Sequence, residues 1–296
     1  MKEEITLVIP LGEGRKVEYL DEISCQNIKI IEEFGPNTSE NRNRGAKKAK
    51  TKYIGFINGH TELDKLWKEK VIEFFKEHPE VDIVGGPQLT PKDEMGFAKI
   101  SGYALCSKFG AGGLSLRYAP GKLNLDADEK SITSANLICK KDVFKKIEFD
   151  NRLYPGEDPK FIDDAKKAGF RIAYSPDIIA YNKRRATAKG LIKQIFNYGK
   201  VRPAKEKFRE TLKKPFFIIP SLFFLYFFWL IITTIGGGFS MLTAFPLALY
   251  SALAILFSFY DSVKNKNLMA FFVLPFIYLM IHLSYGAGMI WGYMKK

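Results

Sequence analysis

The chain has 296 residues, 47% hydrophobic and 14% aromatic, and a formal net charge of +13. Residues 1–182 hold 29 Lys and Arg against 29 Asp and Glu, residues 183–214 hold 12 against 2, and residues 215–296 hold 4 against 1. Basic charge concentrated beside the long apolar stretches argues against nucleic acid as the partner and for anionic lipid head groups, at roughly 1 kcal/mol per charge near the surface.

The start, Met1-Lys2-Glu3-Glu4 followed at once by an apolar run over 5–10, predicts no secretory leader. A buried strand is predicted over 5–9, ending at Pro10, and a second over 27–32. Asn37-Thr38-Ser39 matches a glycosylation sequon, inert in a cytoplasmic domain, and reads as a loop. A helix begun by Ser39 runs to about 50, followed by a strand over 52–57. Leu63, Leu66, Trp67, Val71, Phe74 and Phe75 recur at spacings of three and four, which predicts an amphipathic helix to about 78. A further strand covers 81–86. Strands alternating with helices point to a parallel α/β sheet, whose ligands bind beyond the carboxyl ends of the strands. Residues 10–15, 32–36 and 58–62 are therefore expected to line one site.

After about residue 95 the pattern turns Gly-rich and mixed. Residues 107–113 read as a flexible loop and 131–139 as a strand. Pro155-Gly156-Glu157-Asp158 begins a short helix to about 167, and strands over 171–175 and 178–181 close the domain. An acidic pair at a helix start ordinarily satisfies the helix dipole, so these residues alone leave a cap and a catalytic pair both open. Cys25, Cys106 and Cys139 have neither metal-ligand spacing nor an even count, and read as reduced core thiols.

Three apolar runs, 216–235, 241–260 and 268–293, each reach the roughly 20 residues that cross a bilayer. Three spans are predicted, with Gly236-Gly237-Gly238 outside and 261–267 inside, which puts the first domain in the cytoplasm of a multi-pass cell-membrane protein. A first segment that dips in and returns is the alternative. Gly288 and Gly292 permit close helix contact, expected within the three-helix bundle. His282 has no ionisable partner in the neighbouring spans and is expected to be neutral, hydrogen-bonded and near an interface. Residues 183–214 form a basic amphipathic collar against the lipid.

Several pieces in the right order resemble a known family. They are Thr6-Leu7-Val8-Ile9-Pro10; Arg42-Asn43-Arg44-Gly45 with Ala49 and Tyr53-Ile54-Gly55-Phe56-Ile57; and Ser134-Ala135-Asn136-Leu137 with Phe144 and Phe149-Asp150. Gly156-Glu157-Asp158 with Ala168-Gly169-Phe170-Arg171-Ile172 comes next, then Gln194-Ile195-Phe196-Asn197-Tyr198-Gly199 with Arg202. Over roughly 5–205 the chain resembles the membrane-associated, inverting family 2 glycosyltransferases of GT-A fold, closest to the succinoglycan-biosynthesis type. The resemblance implies an α/β, Rossmann-like nucleotide-diphospho-sugar transferase domain over 1–182, the collar over 183–214 and a membrane domain of about three helices over 215–296.

It also implies a hexosyl transfer in one displacement, from a UDP- or GDP-linked sugar to a lipid-linked or glycan acceptor at the cytoplasmic face, within cell-envelope glycan biosynthesis. Asp158 is then the general base, worth about 10²- to 10⁴-fold, and Glu157 orients Asp158 or a sugar hydroxyl. Pro10, Glu32, Glu33, Arg42, Asn43, Asn58, His60, Gln194, Tyr198 and Arg202 are carried over as nucleotide- and donor-binding positions.

The chain departs from the family where Asp-x-Asp would hold Mg²⁺ or Mn²⁺, since it has Asn58-Gly59-His60. Three readings stand: His60, with Glu62, binds Mn²⁺; cations of Arg42, Arg44 or the collar neutralise the diphosphate; or catalysis has been lost. Glu32-Glu33 replaces the aspartate that commonly contacts the base. The last of the three readings makes a non-catalytic subunit, binding nucleotide or glycan in a membrane complex, the alternative function. A nucleotidyltransferase has less support, because no Gly-rich, Lys-bearing phosphate loop follows the first strand.

Overall fold

Ile5, Leu7, Ile9 and Leu11 alternate with Thr6 and Val8 along β1 (Ile5–Leu11), and nearly every position is buried, as in a strand covered on both faces. The computed structural model describes residues 4–153 and 155–295. Its contacts divide the chain into two units, Met1–Asp93 with Leu116–Lys183, and Glu94–Ser115 with Arg184–Lys296.

In the first unit β1 is followed by α1 (Leu20–Ser24), β2 (Lys29–Phe34), α2 (Thr38–Lys48), β3 (Tyr53–Phe56), β4 (Thr61–Leu63), α3 (Trp67–Glu77), β5 (Ile83–Gly85) and β6 (Gln88–Leu89). After the excursion into the second unit, which contains α4 (Gly96–Cys106), come β7 (Leu137–Lys140), α5 (Glu157–Lys167), β8 (Ile172–Tyr174) and β9 (Ala180–Asn182). The main sheet has the order β2-β1-β3-β7-β5-β8, and β4-β9-β6 form a smaller one.

The main sheet is mixed, which corrects the parallel sheet expected from the alternation. β7 runs antiparallel to β3 and β5. Gly85 and Leu137 are register partners, so the chain leaves β5 and re-enters β7 at the same end of the sheet, without a crossover helix to reverse it. The strand predicted over 131–139 begins only at Leu137. Before it the backbone turns, held by the buried Asn136 side chain, which accepts from Trp67 Nε1 (2.9 Å) and donates to the Ile178 carbonyl (2.7 Å).

One face of β1 packs on Trp67, Val71, Phe74 and Phe75 of α3, as the three-and-four spacing predicts for these four, whereas Leu63 lies on β4 and Leu66 is exposed just before the helix. The other packs on α2 and on a cluster including Phe149 and Phe161, whose rings stack at 4.2 Å. α2 lies very close to β1. A Cβ on Gly45 would come within 2.3 Å of Val8 Cγ1, so the glycine sets that distance. β2 and β3 flank β1 on opposite sides, and the crevice at such a point opens beyond the carboxyl ends of the strands.

The second unit comprises α4 with α6 (Ala188–Lys205), α7 (Phe208–Leu212), α8 (Pro215–Ile235), α9 (Met241–Lys264) and α10 (Leu268–Met294). Among the described residues, α8, α9 and α10 are long and apolar enough to cross a membrane. Ile219, Leu222, Leu225 and Phe228 of α8, and Leu242, Phe245, Leu249 and Leu256 of α9, remain exposed, as side chains facing lipid do.

Two expectations change here. Gly288 and Gly292 do not serve the contact among the three long helices. A Cβ on either would meet the Phe196 or Lys200 carbonyl at 2.1 or 2.3 Å, so both press against α6, and from the other side a Cβ on Gly199 would meet the Tyr285 carbonyl at 2.2 Å. Leu191, Ile195, Gly199, Arg202 and Pro203 of α6 are accordingly buried, and this part of the collar faces protein as well as solvent. Residues 94–115, predicted within the first domain, pack with the helices. The Phe109 ring lies among those of Tyr250, Phe257, Tyr278 and His282.

His282 is held at both nitrogens. Nε2 lies 2.9 Å from the Phe109 carbonyl, which only accepts, so Nε2 carries the hydrogen and Nδ1 accepts from the Tyr250 hydroxyl at 2.9 Å. Asp261, expected in a loop, lies on the last turns of α9 and accepts from the Tyr278 hydroxyl at 2.6 Å.

Candidate active site

The site is built from α2 and α5. The Asn37 side chain caps α2 by accepting from the Glu40 amide at 3.2 Å. Asn is a weak helix former because its side chain competes for backbone groups, yet Asn41 and Asn43 both lie inside this helix and are buried. Each has a backbone partner far along the chain. Asn41 donates to the Leu11 and Gly35 carbonyls at 3.3 and 3.1 Å, which ties α2 to the end of β1 and the turn after β2. Asn43 donates to the Phe149 carbonyl at 2.8 Å and accepts from the Phe149 amide at 2.9 Å.

Between them Arg42 points at the start of α5. The residue before that helix, Gly156, has φ of 123°, a conformation that favours glycine, and it turns the chain so that Glu157 and Asp158 open the first turn. Arg42 Nη1 lies 2.8 Å from Glu157 Oε1 and 3.7 Å from Asp158 Oδ1; the side chains are 3%, 6% and 22% exposed respectively. The guanidinium also stands 5.3 Å from the centre of the Phe149 ring. Burial first, and then the charge of Asp158, push the Glu157 carboxyl above the usual carboxylate range, against the pull of Arg42. Three buried polar atoms of this cluster, Arg42 Nε, Glu157 Oε2 and Asp158 Oδ1, have no hydrogen-bond partner among the described residues. Buried polar groups are ordinarily paired, so three unmatched atoms together, among the described residues, set this cluster apart from an ordinary packing contact.

The other expected residues divide into groups. At the end of β2, Glu33 is buried. Desolvation raises its carboxyl, but the hydrogen bonds from Lys48 and then Arg44 outweigh this and hold it below the usual range. Lys48 is 2.6 Å away and Arg44 3.1 Å. Arg44 also donates to the Phe34 carbonyl and Asn41 Oδ1, at 2.6 and 2.7 Å. Glu33 and Arg44 are thus engaged with each other. Glu32 is half-buried and has no ion pair among the described residues. Pro10 faces Glu33 in the strand register.

Asn58 and His60 lie in the turn between β3 and β4. The Asn58 amide donates to Thr61 Oγ1 at 3.2 Å, and a Cβ on Gly59 would meet Leu11 Cδ2 at 2.6 Å, so the turn sits tightly against the end of β1. Glu62 follows on β4. Burial and then Asp93, Glu22 and Asp64 push its carboxyl upward.

Gln194, Tyr198 and Arg202 lie one turn apart on α6 and belong to the helical unit. Gln194 donates to the Tyr198 hydroxyl at 2.9 Å. Arg202 is bound to Glu206 at 2.9 Å and lies 3.6 Å from the centre of the Phe217 ring.

Sequence reasoning misses Asn41, and it names Phe149 and Gly156 only as parts of matching pieces, without the roles they have here; the signal for Asn41 is an Asn in a helix interior. The two sides of the Arg42–Glu157 contact are 115 positions apart.

Residues 15–148 match the family model described as Glycosyl transferase family 2. The matched segment includes α2 and stops before α5. No curated protein matches the chain. The mannosyltransferase PcManGT from Pyrobaculum calidifontis, solved in complex with GDP-Man and Mn²⁺, is similar in fold, with a TM-score of 0.59 at 10% identity over 99% of this chain and 88% of that one. TarS 1–349 from S. aureus, solved with UDP-GlcNAc, gives 0.42 at 13% identity over 99% and 92% of the two chains. The first unit is an α/β domain of GT-A type with a mixed sheet, and most of the segment similar to family 2 falls within it.

Proposed function

We propose that this chain is a membrane-bound glycosyltransferase that moves a sugar from a UDP- or GDP-linked donor to a lipid-linked or glycan acceptor at the cytoplasmic face of the membrane. The observation that carries the reading is the Glu157–Asp158 pair, held by Arg42 at a helix start in a GT-A domain, with three buried polar atoms left unpartnered among the described residues. Asp158 is the more exposed of the two carboxylates and so the one a substrate reaches. It takes the proton of the acceptor hydroxyl as that oxygen bonds to the anomeric carbon. The bond from that carbon to the diphosphate oxygen breaks on the opposite face, so the configuration inverts and the nucleoside diphosphate leaves with the electron pair. Glu157 keeps Asp158 in place. Glu32, the acid at the end of β2 without an ion pair among the described residues, accepts from the base or ribose of the donor.

A divalent cation is implied by the fold family, and the fit of the residues present is partial. The turn at Asn58-Gly59-His60 offers one imidazole, and Glu62 is a carboxylate with an upward-shifted affinity for protons, surrounded by further acids. An imidazole with carboxylate oxygen suits Mn²⁺ better than Mg²⁺, which demands near-ideal oxygen octahedra. When bound, the ion would offset charge on the leaving diphosphate. Arg42 and Arg44 are poor substitutes for it, since both are engaged with carboxylates. Three apolar helices and the basic residues before them favour a lipid-borne acceptor and the cytoplasmic face.

The test is transfer of label from a panel of UDP- and GDP-sugars into membrane lipids by the full chain, with Mn²⁺ or with a chelator. Labelled lipid or glycan is expected, with less in the chelator lane. A folded, nucleotide-binding protein that labels nothing contradicts the reading, and favours the non-catalytic subunit suggested by Asn58-Gly59-His60.

A further inference from the structure

We infer that Arg42 is a positioning residue for the carboxylate pair and not a ligand of the donor phosphates, and that by binding Glu157 it divides the pair into an anchor and a base. The inference rests on the transferase reading. An arginine in a nucleotide-binding domain is readily taken for a phosphate ligand, and the sequence suggests that role for Arg42. Its surroundings differ from such a role. Only 3% of the side chain is exposed, Nη1 is 2.8 Å from Glu157 Oε1, and the guanidinium stands 5.3 Å from the Phe149 ring. Its remaining Nε has almost no accessible surface. A guanidinium enclosed in this way has no face to present to a diphosphate.

Two adjacent carboxylates share this single positive charge. The nearer, Glu157, is the more deeply buried, and the farther, Asp158 at 3.7 Å, is the more exposed. Like charges this close in a dry site do not ionise independently, and an opposite charge favours the ionised form of whichever acid it faces. Arg42 therefore keeps the pair charged overall and fixes Glu157, while Asp158 stays reachable and accepts the proton. Arg42 itself exchanges no proton.

Other charged groups lie on the elements around the pair in this unit, and on α5 itself Asp163 has a carboxylate oxygen within 4.8 Å of one from the buried Glu129. α2 brings Arg42. Further along α5, Lys160 is bound to Asp164, and Asp150, in the loop before it, is bound to Arg152 at 2.8 Å. β8, packed against α5, brings only Tyr174, whose hydroxyl bonds the Ala119 carbonyl and Gly121 amide.

The experiment compares the full chain with Arg42→Gln, Arg42→Lys, Glu157→Gln and the double variant Arg42→Gln/Glu157→Gln, which removes both members of the close ion pair together. UDP and GDP binding is measured by titration, and transfer is followed against pH. Arg42→Gln is expected to leave both dissociation constants within about two-fold. It should lower kcat and move the acid limb of the rate profile up by about 1–2 pH units, because the ionised pair has lost its counter-charge. Glu157→Gln should move the limb the other way, and Arg42→Lys should recover part of the rate. A ten-fold weaker nucleotide affinity in Arg42→Gln with an unmoved limb overturns the inference, as do limbs that stay fixed in all variants. If the wild type binds nucleotide yet transfers nothing, the transferase reading fails, and the binding titrations still decide whether Arg42 is a nucleotide ligand.

Discussion

Both units bring backbones together with glycine, and they differ in how the neighbouring polar groups are matched. In the α/β unit Gly45 lets α2 settle onto Val8, and the preceding turn of that helix carries Asn41, Arg42 and Asn43 inward. Two of these are fully engaged, while the third meets two carboxylates and leaves Arg42 Nε, Glu157 Oε2 and Asp158 Oδ1 unpartnered among the described residues. In the helical unit Gly199, Gly288 and Gly292 join α6 to α10, and apart from the buried Ser258 hydroxyl the polar side chains named there are matched: Tyr250 with His282, His282 with the Phe109 carbonyl, and Tyr278 with Asp261. Close packing with matched polar groups makes a scaffold. Close packing around a cluster of unmatched ones makes a candidate for chemistry.

The sharpest way to break this comparison is to enlarge a glycine in the scaffold. Gly288→Leu puts side-chain atoms where a Cβ alone would lie 2.1 Å from the Phe196 carbonyl, and should cost about 3 kcal/mol as the helices separate. Thermal unfolding of the full chain in detergent reads this, and an unchanged Tm would mean that α6 and α10 do not meet there. Next in size is Asn43→Ala, which removes both hydrogen bonds to the Phe149 backbone and should cost about 2 kcal/mol in denaturant unfolding.

Glu33→Gln should have a smaller effect, about 1 kcal/mol at pH 7, because Arg44 and Lys48 are 39% and 63% exposed and their charges are screened. The sign with pH follows from the lowered carboxyl of Glu33. Its contribution is fully present above the ordinary carboxylate pKa and is lost as pH falls through the lower folded value. The gap between wild type and Glu33→Gln should therefore hold from pH 7 down to the ordinary carboxylate range and narrow only below it, and a gap that widens toward acid contradicts the assignment. His282→Phe should be the mildest, near 1 kcal/mol, since it gives up two hydrogen bonds and keeps the ring.

Much of the frame was legible because it depends on local pattern. β1, α2, α3 and the three long helices come from runs and spacings that need no distant partner, and their ends fall within a few residues of the expected ones. The antiparallel β7 was not legible, because its direction is set by where the chain returns after residues 86–136. Nor was the attachment of 94–115 to the helices, which turns on Phe109 meeting rings from α9 and α10. At the site, Glu157 and Asp158 were visible as a motif at a helix start. Arg42 was visible as a residue but not in its role, since its partner is 115 positions away and a buried ion pair leaves no local trace.

The most direct measurement is sugar transfer by Asp158→Asn beside the wild type, with nucleotide binding measured on the same preparations. The account predicts that the substitution lowers transfer by about 10²- to 10⁴-fold and leaves UDP and GDP affinity unchanged, because it removes only the proton acceptor. Undiminished transfer by Asp158→Asn would contradict it, and would place the base on some residue other than this carboxylate.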